Sequence, residues 1–178
     1  MPIPFLKMHG LGNDFVVVDD LGKPKGLCQP LNAELAREIC DRRVGVGADQ
    51  ILWLKSPLTN IEADARMEIL NADGSIAEMC GNGIRAVALY LYRYGPKRKP
   101  EYVIETLAGD KGVRVDEGQV TVDMGPPVLG VGVGKGGESL RVKNRELRFY
   151  EVGMGNPHAV FFVEDVAKFP VEEFGPLI

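Results

Sequence analysis

Met79-Cys80-Gly81-Asn82-Gly83-Ile84-Arg85 runs without a break into Ala86-Val87-Ala88-Leu89-Tyr90-Leu91-Tyr92. Ile84, Val87, Ala88 and Leu91 recur at the i, i+3, i+4, i+7 spacing of a helix, and most positions between them are apolar as well. A helix that is apolar nearly all round must be wrapped by the rest of its domain. Its first turn still offers unpaired N–H groups and a partial positive charge. A thiol held there has its anion stabilised. Gly81 and Gly83 carry no side chains to keep an anionic ligand from those N–H groups. The combination suits a thiolate acting as base or nucleophile on a carboxylate-bearing substrate. The plain alternative is packing, because free cysteine is among the most buried residue types.

Outward from this helix the pattern is many short strands with few helices, an α+β composition. Phe15 to Val18, Gln50 to Leu54 and the alternating Ala65, Met67 and Ile69 read as strands. So do Tyr102–Glu105, Gly112–Val115 and Val120–Met124. Asn32 is an N-cap candidate for a helix carrying Leu35, Ala36, Ile39 and Cys40 on one side, which makes Cys40 a core residue. Asn71-Ala72-Asp73-Gly74 is turn chemistry, and Gly95-Pro96 stops the central helix. Gly125-Pro126-Pro127 breaks the pattern, so residues 1–125 are expected to form one domain and 126–178 the start of a second. Strands resume near Leu140–Val142, Leu147–Val152 and Ala159–Val163. The glycines from Gly130 to Gly137 lack the P-loop spacing and read as a hairpin connection. Cys28 reads as a loop residue, and His9 as structural. Arg85, charged on a buried helix, calls for a buried carboxylate partner before a substrate role.

A hydrophobic content of 45% supports a real core, and the net charge of −4 with scattered Lys and Arg leaves no footprint for nucleic acid. No apolar run approaches a membrane span, and Met1-Pro2-Ile3-Pro4-Phe5 is not a signal peptide. Three widely spaced cysteines without a Cys-x-x-Cys pair indicate neither a disulfide framework nor a zinc site, so a cytoplasmic protein is expected.

The chain also repeats itself. Gly10-Leu11-Gly12-Asn13 and Gly153-Met154-Gly155-Asn156 are each followed by two residues and then an apolar strand, at one offset of 143 for both glycines and asparagine. The copies fall on opposite sides of the inferred boundary, as a duplicated domain requires. Two pseudo-symmetric domains of mixed and antiparallel strands, each wrapped around a central helix, are therefore expected. A ligand would sit in the cleft between them.

Five motifs taken together resemble the diaminopimelate epimerases: Lys7-Met8-His9-Gly10-Leu11-Gly12-Asn13-Asp14-Phe15, Gly47-Ala48-Asp49-Gln50, Asn71-Ala72-Asp73-Gly74-Ser75, Glu78-Met79-Cys80-Gly81-Asn82-Gly83-Ile84-Arg85 and Gly153-Met154-Gly155-Asn156-Pro157-His158. They span essentially the whole chain in the right order. Proline racemases share a similar Met-Cys-Gly stretch followed by His, where this chain has Asn82. The resemblance implies an isomerase that interconverts LL- and meso-2,6-diaminopimelate for lysine and peptidoglycan synthesis, without pyridoxal phosphate or metal and with no other cofactor. It implies two cysteines on opposite faces of the substrate α-carbon, one taking a proton as thiolate and the other returning one as thiol. Cys80 matches the first of the two in sequence order. Substrate contacts carry over onto Asn13, Gln50, Asn71, Gly81, Asn82 and Asn156, and His158 matches a residue that sets thiol protonation. A small amino-acid substrate is the partner implied, with a homodimer left open.

Chemistry supports those residue types. An α-proton of an amino acid is very weakly acidic, and without a cofactor as electron sink the carbanion needs preorganised donors at the α-carboxylate. Neutral amides donate to carboxylates and accept from ammonium groups, which suits a substrate bearing both at each end. Yet Asn13, Asn71 and Asn156 also sit where turns favour asparagine in any case, and His158 at a strand start is by default structural. The family's second cysteine is not matched here. The repeat offset carries Cys80 to position 223, which is 45 residues past Ile178. These 178 residues are thus expected to be a truncated chain, inactive alone. A proline-racemase-like enzyme and a non-catalytic half-site remnant are the competing readings.

Overall fold

In the computed structural model, which describes residues 3–22, 32–60, 62–130, 134 and 136–178, the chain divides into two compact units, Met1–Met124 and Gly125–Ile178. Cys28 and, within the Gly130–Gly137 segment, residues 131–133 and 135 lie outside the described residues.

The first unit opens with strands β1 (Leu6–Gly10) and β2 (Asn13–Asp19), paired antiparallel. Their link is Leu11-Gly12, with φ of 54° and 85°, the two left-handed residues that a tight type I′ turn requires. Helix α1 (Ala33–Cys40) follows, capped by Asn32 Oδ1, which accepts from Leu35 N at 2.8 Å. Next come β3 (Gln50–Lys55), β4 (Ala65–Asn71), the short β5 (Ile76–Ala77) and helix α2 (Gly81–Tyr94). Strands β6 (Glu101–Glu105), β7 (Lys111–Asp116) and β8 (Gln119–Val122) complete the unit, the last ending two residues before the expected Met124.

The sheet order is β1-β2-β3-β4-β6-β7-β8, with β5 against β4. Among the described strands of this sheet only β2–β3 and β4–β6 pair parallel. Helix α2 touches β1, β2 and β3 at one end of this path and β7 and β8 at the other, so the sheet curls around it. Strand periodicity explains the two cores. Phe15, Val17, Leu52 and Leu54 face α2, together with Ile84, Val87, Ala88 and Leu91. Their alternates Val16, Val18, Ile51 and Trp53 face α1 with Ala36 and Cys40. Strands covered on both sides read as unbroken apolar runs, as β2 and β3 do. Cys40 is 4% exposed, and burial, followed by the charge of Asp49, pushes its thiol upward. It is the packing residue its helical stripe predicts.

The second unit holds β9 (Val128–Leu129), β10 (Glu138–Val142), β11 (Arg145–Gly153) and β12 (Pro157–Phe161), with β11 central, and a short helix α3 (Val171–Phe174). Its described residues include no long helix, so the wrapping of a central helix is seen in the first unit only. Gly-x-Gly-Asn again joins two antiparallel strands, but Gly153 pairs with Pro157, whereas Gly10 pairs with Asn13. The second hairpin loop is one residue longer. Met154 consequently escapes the left-handed conformation that Leu11 must adopt.

Candidate active site

The parallel strands β2 and β3 both begin at one end of the sheet, and the antiparallel β4 ends there, with Phe15 opposite Gln50 and Gln50 opposite Asn71. The segment between β4 and α2 returns Cys80 to the same end. Topology thus gathers Asn13, Gln50, Asn71 and Cys80, drawn from four separate stretches of sequence.

Cys80 is the N-cap of α2. Its backbone is extended (φ −141°, ψ 110°), and its Sγ accepts from Gly83 N at 3.3 Å, the place usually held by a Ser or Asp oxygen. The carbonyl of Cys80 takes Ile84 N at 2.9 Å. The N–H groups of Gly81 and Asn82 then have no partner among the described residues, and the space where a Gly81 side chain would stand is open. Gly83 is tighter. A Cβ there would lie 3.0 Å from Leu52 Cδ2 and 3.4 Å from Cys80 Sγ, so only glycine lets the cap close onto the core. On its other side Sγ donates to Asn13 Oδ1 at 3.8 Å.

A relay of amides stands at the same end of the sheet. Gln50 Nε2 donates to Asn71 Oδ1 at 2.8 Å, and Asn71 Nδ2 donates to Ser75 Oγ at 2.9 Å. Ser75 in turn donates to Asp73 Oδ1 at 2.6 Å, and this hydroxyl with the Ser75 N–H holds the Asp73 carboxyl below its ordinary range. Gln50 Oε1 is buried and has no partner among the described residues. An orphaned buried acceptor is costly in the free protein, and a ligand ammonium group would satisfy it.

Arg85 donates to Asn82 Oδ1 and meets no carboxylate among the described residues, contrary to the expectation for a charge on this helix. It holds the Asn82 side chain on the first turn of α2 instead. In the second unit, Asn156 lies in the hairpin loop, where its carbonyl accepts from Met154 N at 3.1 Å. His158 is exposed on β12, opposite Val152. Sequence reasoning gave Asp49 no role. Its Oδ2 accepts from Asp14 N at 2.7 Å and from Asn13 Nδ2 at 3.1 Å, and its Oδ1 from Arg42 at 2.8 Å. Its place directly before Gln50 in a Gly-x-Asp-Gln turn was the available signal.

Residues 5–130 match the family model of diaminopimelate epimerase. The chain is 48% identical over 183 residues to the diaminopimelate epimerase of Carboxydothermus hydrogenoformans, covering 98% of this chain and 65% of that protein. This chain belongs to the diaminopimelate epimerase family. The family's members from Alkalilimnicola ehrlichii and Desulfitobacterium hafniense are each 46% identical to it, over 100% and 97% of this chain and 66% and 64% of theirs. The chain therefore spans just under two thirds of the length of these relatives.

Solved structures with the same fold include a probable proline racemase from Agrobacterium radiobacter, at TM-score 0.65 and 19% identity over 98% of this chain and 53% of that one. A hydroxyproline epimerase from Agrobacterium vitis, solved with trans-4-hydroxy-L-proline, has TM-score 0.63 and 20% identity over 96% of this chain and 52% of that one. These likenesses show that the chain shares the α+β fold of those two enzymes. Among the described residues no helix is long and apolar enough to cross a membrane.

Proposed function

We propose that this chain supplies the Cys80 half of a cofactor-independent epimerase that interconverts LL- and meso-2,6-diaminopimelate. The observation that carries the reading is the Cys80 sulfur at the start of α2, beside unpartnered N–H groups and the open Gln50 acceptor, in a chain of this family. In the proposed reaction the Cα–H bond breaks and its electron pair moves into the α-carboxylate as an enediolate. The departing proton goes to one sulfur, and a second acid on the opposite face delivers a proton to Cα. The N–H groups of Gly81 and Asn82 would bind the carboxylate on which charge collects, and they are fixed in place before the reaction begins. Gln50 Oε1 would accept from a substrate ammonium, and Asn13 and Asn71 complete the polar wall. The strand-and-helix enclosure would keep water from the carbanion.

Two cysteines are needed in this scheme, and Cys40 is packed into the α1 core. We assign the second to sequence that the longer relatives possess beyond the matched two thirds, in a domain that residues 125–178 begin. Asn156 and His158 would reach the substrate from that domain, a role that rests on the family resemblance. The protein is read as a cytoplasmic enzyme of lysine and peptidoglycan precursor synthesis, and as a homodimer.

The test is solvent-deuterium incorporation at Cα of LL-2,6-diaminopimelate by the full-length protein, with proline offered in parallel. Exchange with diaminopimelate that is lost in Cys80→Ser supports the reading. Exchange with proline alone, or undiminished exchange in the variant, overturns it.

A further inference from the structure

Asp49 is an acceptor at both oxygens, and what it accepts decides what Cys80 meets. The guanidinium of Arg42 spans Asp14 Oδ2 at 2.7 Å and Asp49 Oδ1 at 2.8 Å, and so engages the Asp49 oxygen that Asn13 does not use. The other oxygen, Oδ2, receives Asp14 N and Asn13 Nδ2. An ionised carboxylate can only accept, so the end of the Asn13 amide that faces it must be the NH₂ group. The carbonyl end then points away, and it lies 3.8 Å from Cys80 Sγ.

The geometry points to Asp49 as a positioning residue: its carboxylate fixes the Asn13 amide so that the oxygen, and not the nitrogen, faces the Cys80 sulfur. With the opposite rotamer an N–H would meet the sulfur and favour its anion. With the observed one, an acceptor meets the sulfur at 3.8 Å. Asp49 thereby selects an acceptor, and not a donor, as the amide neighbour of the Cys80 sulfur in the free protein. Its bearing on catalysis rests on the reading of Cys80 given above, but the selection itself does not. The Asp14 N–H above all, joined by Asn13 and Arg42, outweighs burial and holds the Asp49 carboxyl below its usual range, so it stays an acceptor at neutral pH. Arg42 reaches the sulfur only through this chain of contacts, which separates its role from that of Asp49.

The experiment measures the rate at which iodoacetamide alkylates Cys80 at pH 7 in the full-length protein, followed on the Cys80 peptide by mass spectrometry. Iodoacetamide reacts with the thiolate. In Asp49→Leu the Asn13 amide loses its anchor and is free to turn an N–H to the sulfur, and the rate rises roughly five- to tenfold, the equivalent of one hydrogen bond. In Arg42→Leu the Asp49–Asn13 contact survives, so the rate stays within about twofold of the parent even if stability falls. An unchanged rate in a folded Asp49→Leu protein overturns the proposal, as does an equal rise in both variants, which would reveal general loosening. Should Asp49→Leu not fold, infrared spectroscopy of the unsubstituted protein decides. An S–H stretching band that disappears in Cys80→Ser and lies below the free-thiol frequency supports it, and the absence of such a band overturns it. Neither readout uses the epimerase reaction, so a failure of α-proton exchange is distinguishable from a failure here.

Discussion

Gly83 N donates to Cys80 Sγ at 3.3 Å, so one sulfur both caps the central helix and stands at the mouth of the candidate site. Stability and chemistry therefore part company under substitution. Cys80→Ser keeps an N-cap acceptor and should change stability by less than about 0.5 kcal/mol, whereas Cys80→Ala loses the cap and should cost about 1 kcal/mol. Both should abolish α-proton exchange. Denaturant melts alongside deuterium incorporation check the pair, and a Ser variant as unstable as the Ala one would contradict the capping role.

Gly83→Ala tests the closeness of that cap. Alanine gains about 1 kcal/mol of helix propensity over glycine. Against this, its Cβ would press on Leu52 Cδ2 at 3.0 Å and on the Cys80 side chain, and overpacking in a full core costs about 1–3 kcal/mol. Leu52 is wholly buried and has nowhere to retreat. Net destabilisation is expected, with a disproportionate loss of kcat because the sulfur is displaced. Thermal melts and steady-state kinetics report the two effects separately.

Gln50→Leu removes the buried acceptor that has no partner among the described residues, along with the bond to Asn71. The two changes oppose each other, so stability should move by no more than about 1 kcal/mol. Substrate affinity should fall much more. A hydrogen bond to a charged group is worth about 1.5–3 kcal/mol, so kcat/KM for diaminopimelate should drop roughly 10- to 100-fold, mainly through KM. A variant with unaltered KM would remove Gln50 from the binding wall.

Glu105 gives a pH signature unconnected with the site. Burial alone would raise its pKa, but Oε2 accepts N–H groups from Leu58, Thr59 and Asn60 at 2.9–3.3 Å, and these outweigh it, leaving the carboxyl below its ordinary 4.5. A carboxyl depressed in the folded state contributes stability above its unfolded value and loses it as pH falls through the folded value. Glu105→Gln should therefore cost about 1–2 kcal/mol at neutral pH, a difference that shrinks as the pH falls through the depressed value of the folded state. Denaturation midpoints followed downward from pH 7 check the convergence.

What was legible in the sequence was what local pattern encodes. The apolar run of β2, the alternation of β4 and the periodicity of α2 each follow from which side chains must leave water, and Asn32 and Cys80 stand where caps belong. Strand β1 was not legible, because Lys7 and His9 alternate with only partly buried neighbours, and β5 and β9, two residues each, have no period at all. Nor could spacing reveal that Asp49 holds Asn13 across 36 residues, or that Arg85 turns to Asn82. Those are choices of partner, settled by topology and by which end of an amide a carboxylate can accept.

Leu11 carries the remaining prediction. It is 90% exposed, at φ 54°, in a two-residue turn whose first position favours Asn or Gly. A leucine gains nothing from packing there and suffers the crowding of Cβ against its own backbone, on the order of 1 kcal/mol. The repeat shows the relief available: in the other hairpin one added residue spares Met154 the same conformation. Leu11→Asn should thus stabilise the protein by about 0.5–1 kcal/mol, raising the melting temperature by roughly 1–4 °C for a chain of this size. Because the turn sits two residues from Asn13, the variant should be assayed for exchange as well. Strain is commonly retained where function needs it, so a more stable protein with weaker exchange would place the Leu11 side chain over the bound substrate, while equal exchange would mark it as a tolerated cost of the tight hairpin.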